Sequence, residues 1–284
     1  MEQTAQNQTI DTFIAEIIQL ARSNNLKLPT LPEVATKVRK AIDSEDVGAD
    51  QIAKIISTDA ALSARLLQVA NSPVYRGSTQ IDSVKIAVAR LGNKVVRTMA
   101  ISLVMQQLFQ TKYPQLKKRM EQLWDHGTRV AAISSVLAKK FTKLPPDEAL
   151  LAGLIHDVGA LPIINQAESY PVVANSDHLL DDAITRLHCP IGRLVLEAWK
   201  LPPELVAVAS EHEKLDRQIE KPDLVDVVTV ANLHSYIGID SERLANINFT
   251  ELPAMQRLGM DADAAIAMME EAKTEIAEMQ GVLK

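Results

Sequence analysis

His156 and Asp157 stand side by side in the apolar run Leu150-Leu151-Ala152-Gly153-Leu154-Ile155-His156-Asp157-Val158-Gly159. A neutral imidazole offers nitrogen and a carboxylate offers oxygen, so the pair can begin a site for a divalent cation. An aspartate buried without a partner is costly, so Asp157 needs a metal, a base or a set of donors. Four further positions sit at spacings that could complete such a site: His126, His188, His212 and Asn232.

The helical pattern around each position says where it points. His126 shares a face with Leu123, Val130, Ile133 and Leu137. His212 shares one with Leu205, Val208 and Ala209, and Asn232 shares one with Val225 and Val228. His188 precedes Cys189-Pro190-Ile191-Gly192, where the proline predicts a helix beginning, with His188 at its start. His178, beside Asp177 on a polar stretch, reads as surface, and His234 lies two residues beyond Asn232. Any one of these histidines is explained by a core position with one or two hydrogen bonds. Inward-facing histidines on separate helices, one with an adjacent aspartate, are hard to satisfy separately in so apolar a core. The set points to a metal or a shared polar site.

Helical periodicity dominates the elements that must hold these residues. Phe13, Ile14, Ile17, Ile18 and Ala21 form a first stripe. Helices are predicted over 32–42, 49–56 and from Asp59 to Ala70, with Ser44 to Gly48 a loop and Asn71-Ser72-Pro73 a stop whose side chains bond free carbonyls or a neighbouring loop. Two more helices are expected over 81–91 and 93–109, separated by Gly92. The second half adds a long helix from Tyr113 to Phe141, one opened by Pro145-Pro146-Asp147 that carries His156, and helices over 191–199, 204–213 and 223–237. One amphipathic helix, 261–280, closes the chain. No strand alternation or internal repeat is visible. The fold class is all-α, a compact bundle of roughly a dozen helices. A soft boundary falls near Gln110 to Tyr113.

Composition excludes several classes. The 284 residues are 47% apolar but only 4% aromatic, which suits helices more than a β-sandwich. A net charge of −6 and a pI near 5.6 argue against a general grip on nucleic acid, and Lys117-Lys118-Arg119 reads as a solvated helix face. The single Cys189 allows no internal disulfide and fits a reducing cytoplasm. No signal peptide is visible at the N-terminus, and no apolar run approaches the roughly 18–20 residues that span a bilayer.

His126, the pair His156-Asp157 and position 232 resemble the pattern of the HD superfamily of metal-dependent phosphohydrolases: a first histidine, an adjacent His-Asp and a last aspartate. The chain departs at the last, where Asn232 stands. His188 and His212 match two further histidines of the HD-GYP subgroup, which builds multi-iron sites. Two features of that subgroup are missing: Ala160 stands where its lysine follows His-Asp-x-Gly, and Glu213-Lys214-Leu215-Asp216 follows His212 in place of a Gly-Tyr-Pro motif. The N-terminal half resembles the HDOD family through Leu28-Pro29-Thr30-Leu31-Pro32, Asp59-Ala60-Ala61-Leu62-Ser63-Ala64-Arg65-Leu66-Leu67, Ala70-Asn71-Ser72-Pro73-Val74-Tyr75 and Ile81 to Gly92. The similarity runs over about residues 20 to 235.

The resemblance implies a bacterial all-α module of HD-superfamily type. An N-terminal helical extension would cover 1–19, an HDOD domain 20–240 with its halves meeting near 110, and a C-terminal helical extension 241–284 packed on the domain. It implies a cytoplasmic signalling module that binds a divalent metal or a ligand with little or no turnover. His126, His156, Asp157, His188, His212 and Asn232 would be the ligands, for Fe or Mn best, with Zn, Ni and Mg left open. A neutral Asn232 is a weaker ligand for a hard cation and removes one negative charge. The alternative is a metal-dependent phosphohydrolase acting on a phosphodiester or phosphomonoester, a nucleotide among the candidates. In it Asp157 would serve the chemistry, and Arg129 could offer its guanidinium to phosphate, although a surface salt bridge is the plainer role. A third reading is a structural scaffold with relic histidines. No receiver, sensor or DNA-binding segment is visible, so input is expected from a signalling protein partner or a small-molecule ligand, not from nucleic acid or a membrane.

Overall fold

The computed structural model describes residues 2–42, 48–72, 75, 77, 79–245 and 247–283. Most of the loop expected at Ser44–Gly48 lies outside the described residues, as does Pro73 of the Asn71-Ser72-Pro73 stop. Six helices form the first half: α1 Glu2–Arg22, α2 Glu33–Ile42, α3 Ala49–Ile56, α4 Ala60–Ala70, α5 Val84–Met105 and α6 Pro114–Phe141. A short 3-10 turn, Gln106–Phe109, joins the last two. The second half carries α7 Pro146–Ile155, α8 Ala160–Ala167, α9 Pro171–Ala174, α10 Asp177–Ala198, α11 Pro203–Glu211 and α12 Leu224–Ser235. Four helices close the chain: α13 Ser241–Leu244, α14 Pro253–Arg257, α15 Ala262–Glu271 and α16 Lys273–Leu283. Among the described residues there is no strand, and no helix is long and apolar enough to cross a membrane.

Local chemistry sets many boundaries. Asp59 caps α4, accepting from the Leu62 amide at 2.9 Å. Asn71 staples the end of α4 to the next segment, because its amide donates to the Leu67 and Ile81 carbonyls (2.9 and 2.7 Å) and its oxygen accepts from the Ile81 amide (2.8 Å). Prolines 114, 146 and 203 occupy first turns, where their missing N–H leaves no carbonyl unsatisfied. Gly92, at φ 77°, interrupts α5 where the sequence places a break between two helical runs.

Two expectations fail. The helix expected to open at Pro190 instead starts at Asp177, capped by Ser176, and runs through the proline. His188 is therefore in a helix interior, not at a helix start. Proline in a helix interior costs about 3 kcal/mol, but Leu179, Leu180, Ala183, Leu187, Ile191 and Val195 form one buried stripe across it. That packing outweighs the local break. The closing segment is two helices, interrupted at Ala272 (φ −91°, ψ 2°), where one was expected. The short helices α9, α13 and α14 carry too few turns to show a period, and α8, as long as α3, is not anticipated from the sequence.

Helices α6 and α7 pack most intimately, with α12 against both. α10 lies on α8 and α11, while α5 packs on α2, α3 and α4 and reaches α7. α16 runs along α6, tied by Lys139–Glu275 (2.7 Å), and Lys140–Glu271 (3.0 Å) ties the end of α15 to α6. Two close approaches set the spacing of the histidine-bearing helices. A Cβ on Gly153 would stand 2.8 Å from Ala131 Cα, so the glycine lets α7 close on α6. A Cβ on Gly159 would stand 2.0 Å from the His188 carbonyl oxygen, so that glycine lets the turn after Asp157 meet α10.

An ion cluster built on the buried Asp226 locks α11, α12 and α14 together. Asp226, 1% exposed, receives two bonds from Arg257 (2.7 and 2.8 Å) and one from Arg217 (3.3 Å). Arg217 also grips Asp223 (2.8 Å) and Glu211 (3.0 Å). Removing one partner strands the others in a dry place, so Asp226→Ala should lose about 3–5 kcal/mol in urea unfolding. A loss below about 1 kcal/mol, the scale of an exposed pair, would show that solvent already screens the cluster.

Burial opposes charge on Asp223, yet Arg217 and the Asp226 amide outweigh it and hold its carboxyl below 3.8. A depressed folded-state pKa stabilises above the unfolded value, and that share is lost as pH falls through the folded one. Wild type should therefore lose more stability between about pH 5 and pH 3 than Asp223→Asn does, compared by urea midpoints.

Candidate metal centre

Five of the six proposed ligands meet at one point. His126 comes from the middle of α6, and His156 caps the C-terminus of α7, with Asp157 next along the chain. His188 projects from the middle of α10, and His212 caps α11. The Asp157 carboxylate sits between two pairs of rings. Its Oδ2 lies 3.2 Å from His156 Nε2 and 3.6 Å from His126 Nε2. Its Oδ1 lies 3.3 Å from His212 Nε2 and 3.5 Å from His188 Nε2. Within the pairs, the Nε2 atoms of His126 and His156 are 3.1 Å apart, and those of His188 and His212 are 3.3 Å apart.

The opposite ring nitrogens fix the tautomers. Nδ1 of His156 donates to the Gly153 carbonyl (2.7 Å), that of His188 to Ile184 (2.8 Å), and that of His212 to Val208 (3.0 Å). The Ser235 hydroxyl spends its proton on the Asn232 carbonyl (2.7 Å), so toward His126 Nδ1, 3.5 Å away, it is an acceptor. A ring that donates from Nδ1 presents a lone pair at Nε2 when neutral. With all four rings neutral, four such lone pairs face one carboxylate, which also only accepts; the Tyr236 hydroxyl, 3.4 Å from His126 Nε2, and the Cys189 thiol, 3.3 Å from His188 Nε2, are the donors beside them.

That donor set fits a cation. Metal bonds of about 2.0–2.2 Å in a tetrahedron put neighbouring ligand atoms about 3.3–3.6 Å apart. The spacings above run from 3.1 to 3.6 Å. His126, His156 and Asp157 form one group able to hold an ion, and His188, Cys189 and His212 form another.

Electrostatics separates the two pairs. Burial, then the neighbouring His156, pushes His126 down to about 3, so this ring stays neutral. Burial also opposes charge on His188, but Cys189 and Asp157 outweigh it and carry His188 up to about 9. Burial works against ionised Asp157 too, yet the surrounding imidazoles hold its carboxyl well below the usual range.

Asn232, the sixth position, is 3% exposed. Its Nδ2 donates to Glu213 Oε1 at 3.4 Å, while its Oδ1 is buried with no hydrogen-bond partner. His234 lies apart, bonded to the Val230 carbonyl (2.7 Å) and edge-on to Phe249, and His178 is exposed. Arg129 donates to the Ser235 carbonyl at 3.2 Å, a backbone anchor where a surface ion pair was expected. Arg119, expected on a solvated face, is half-buried and paired with Asp181.

Sequence reasoning missed four neighbours. Tyr236 stacks on His126 with centroids 5.1 Å apart, and the Arg243 guanidinium covers the Tyr236 ring at 4.3 Å. Arg243 also binds Glu213 at 3.0 Å. Cys189 Sγ lies 3.3 Å from His188 Nε2. One signal was available: Glu213 follows His212 as Asp157 follows His156, a second imidazole-carboxylate pair. Arg243 sits on a short helix and carries no such mark.

Known proteins share the fold. The HDOD domain family matches residues 28–215, and the chain belongs to that family. An uncharacterized protein of Treponema pallidum (strain Nichols) is 28% identical over 222 residues, which cover 72% of this chain and 42% of the relative, so the chain spans less than half of its length. A crystal structure from Shewanella amazonensis SB2B, of a protein provisionally named a metal-dependent phosphohydrolase, superposes with a TM-score of 0.85 at 25% identity, covering 98% of this chain and all of that one. The fold is shared with an HDOD domain protein of unknown function from Geobacter sulfurreducens, at a TM-score of 0.67 and 22% identity over 96% of both chains. It is shared too with a Marinobacter aquaeolei VT8 protein provisionally named for signal transduction, at 0.64 and 18% over 100% of this chain and 66% of that one.

Gly159→Ala tests how the site is built. The new methyl group would meet backbone atoms of α10 that cannot rotate away, so the variant should be destabilised by about 2 kcal/mol or more in urea. Wild-type stability in this variant would contradict the close approach.

Proposed function

We propose that this protein is an HDOD-type regulatory module that holds divalent metal at His126, His156, Asp157, His188 and His212 and turns over little or no substrate. The observation that carries the reading is the convergence of four Nε2 lone pairs on a carboxylate, with each ring's Nδ1 already committed to an acceptor. Acceptors facing acceptors repel, and a cation satisfies all of them together. The Asp157 carboxylate would bridge the two histidine pairs. The backbone carbonyls at Gly153, Ile184 and Val208 would orient the rings and raise their basicity. Fe or Mn suits this nitrogen and oxygen set best.

Low turnover follows from what the site lacks. Asn232 brings no charge, and Ala160 is fully buried where the related subgroup has a lysine. The stacked Tyr236 and Arg243 also cover one side of His126. Input would come from a separate protein or a small molecule that senses the metal state or changes it.

One observation favours the alternative, a metal-dependent phosphohydrolase. The guanidinium groups of Arg119 and Arg243 both act electrostatically on Asp157, and Arg129 acts on His126. Three cations beside the site would attract a phosphate. In that reading a bound metal would activate water for attack on phosphorus, and Arg129 and Arg243 would orient the anion.

Elemental analysis of protein purified without chelator tests the proposal. About one to two equivalents of Fe, Mn, Zn or Ni are expected, falling sharply in Asp157→Ala. Less than about one-tenth equivalent would leave only a helical scaffold, because a tight site stays largely occupied. Hydrolysis of a generic phosphodiester should not exceed that of Asp157→Ala. Turnover abolished by that substitution would establish the enzyme instead.

A further inference from the structure

We propose that Glu213 is a metal ligand, supplying in space the carboxylate that is absent at position 232. The inference rests on the metal-binding reading above and adds a residue to it. Glu213 Oε1 lies 3.8 Å from His212 Nε2, roughly 0.2 Å beyond the longest ligand-to-ligand edge of a tetrahedral site. A glutamate side chain covers that gap by a small rotation about its own bonds.

Asn232 is matched to this arrangement. Its Nδ2 points at Glu213 Oε1 (3.4 Å), and its buried Oδ1 has no hydrogen-bond partner. An aspartate at 232 would set two carboxylates against each other at that distance, whereas the amide donates to Glu213 and steadies it. The orphaned Oδ1 is a second sign, because a buried acceptor without a donor wants a cation or a water. The amide orientation is fixed by the same contact, since turning it over would face oxygen to oxygen.

Charge points the same way. Bound to metal, four imidazoles bring no negative charge, so one shared aspartate leaves two divalent ions strongly undercompensated in a buried place. A second carboxylate beside His212 lowers that excess. Arg243 competes for it, binding Glu213 at 3.0 Å from its perch over Tyr236. The carboxylate would thus be shared between a guanidinium at the rim and a cation inside.

This competition gives a test with opposite signs. The full chain, stripped of metal, is titrated with Co(II), and equivalents and affinity are read by competition with a chelator, with melting curves to confirm folding. Glu213→Gln should weaken binding of one cobalt by about tenfold or more. Arg243→Ala should leave that affinity unchanged or tighten it. Asn232→Asp introduced into Glu213→Gln should recover most of the loss, because it returns a carboxylate from another helix. Wild-type affinity in Glu213→Gln, equal weakening in Glu213→Gln and Arg243→Ala, or no recovery in the double variant would each overturn the role of Glu213 while leaving the metal centre standing. No cobalt bound by the wild type would overturn both.

Discussion

The structure turns on acceptors that face one another. A carboxylate has no proton to give at neutral pH, and an imidazole that donates from Nδ1 has none at Nε2. Placing four such nitrogens within 3.6 Å of Asp157 costs energy unless something positive sits among them. A protein keeps such a cluster where a proton or a metal resolves it. His188 takes a proton readily, whereas burial keeps His126 neutral. A proton can therefore ease the His188 and His212 pair, whereas His126 contributes none to its own pair. A divalent cation between each pair eases both.

Much of the scaffold exists to hold those rings at this spacing. Gly153 and Gly159 remove side chains where α7 meets α6 and where the turn after Asp157 meets α10. Three ring nitrogens are tied to carbonyls of their own helices, so ring position follows helix position. The Asp226 cluster fixes α12 against α11 and α14, which sets Asn232 beside Glu213. The N-terminal helices α2, α3 and α4 reach α7 through α5, which packs on all of them.

The long elements and the inward-facing residues are legible in the sequence alone. α3 and α6 follow from apolar period and proline placement, and the faces of His126, His212 and Asn232 follow from the same period. Pro190 misleads because the local rule for proline ignores the stripe from Leu179 to Val195 that crosses it. The closing segment reads as one helix because its amphipathic pattern continues past Ala272, where the backbone breaks. α9, α13 and α14 are invisible because about one turn shows no period, whereas α8, as long as α3, is not anticipated from the sequence. At the site, residue types and helix faces are legible, but partners are not. The link of Asn232 to Glu213, and the stack of Arg243 on Tyr236 on His126, join residues that only the folded chain brings together. The His212-Glu213 pair is in plain view in the sequence and repeats the imidazole-carboxylate adjacency of His156-Asp157, but its place at the site shows only in the fold.

A shared cation centre can be seen outright by anomalous X-ray diffraction from crystals of the full chain, recorded on both sides of the Fe and Mn absorption edges. Strong difference density is expected between the rings of His126 and His156, between those of His188 and His212, or both, within bonding distance of the Asp157 carboxylate. Rings linked instead by ordered water or by protons, with no anomalous peak near Asp157, would contradict it.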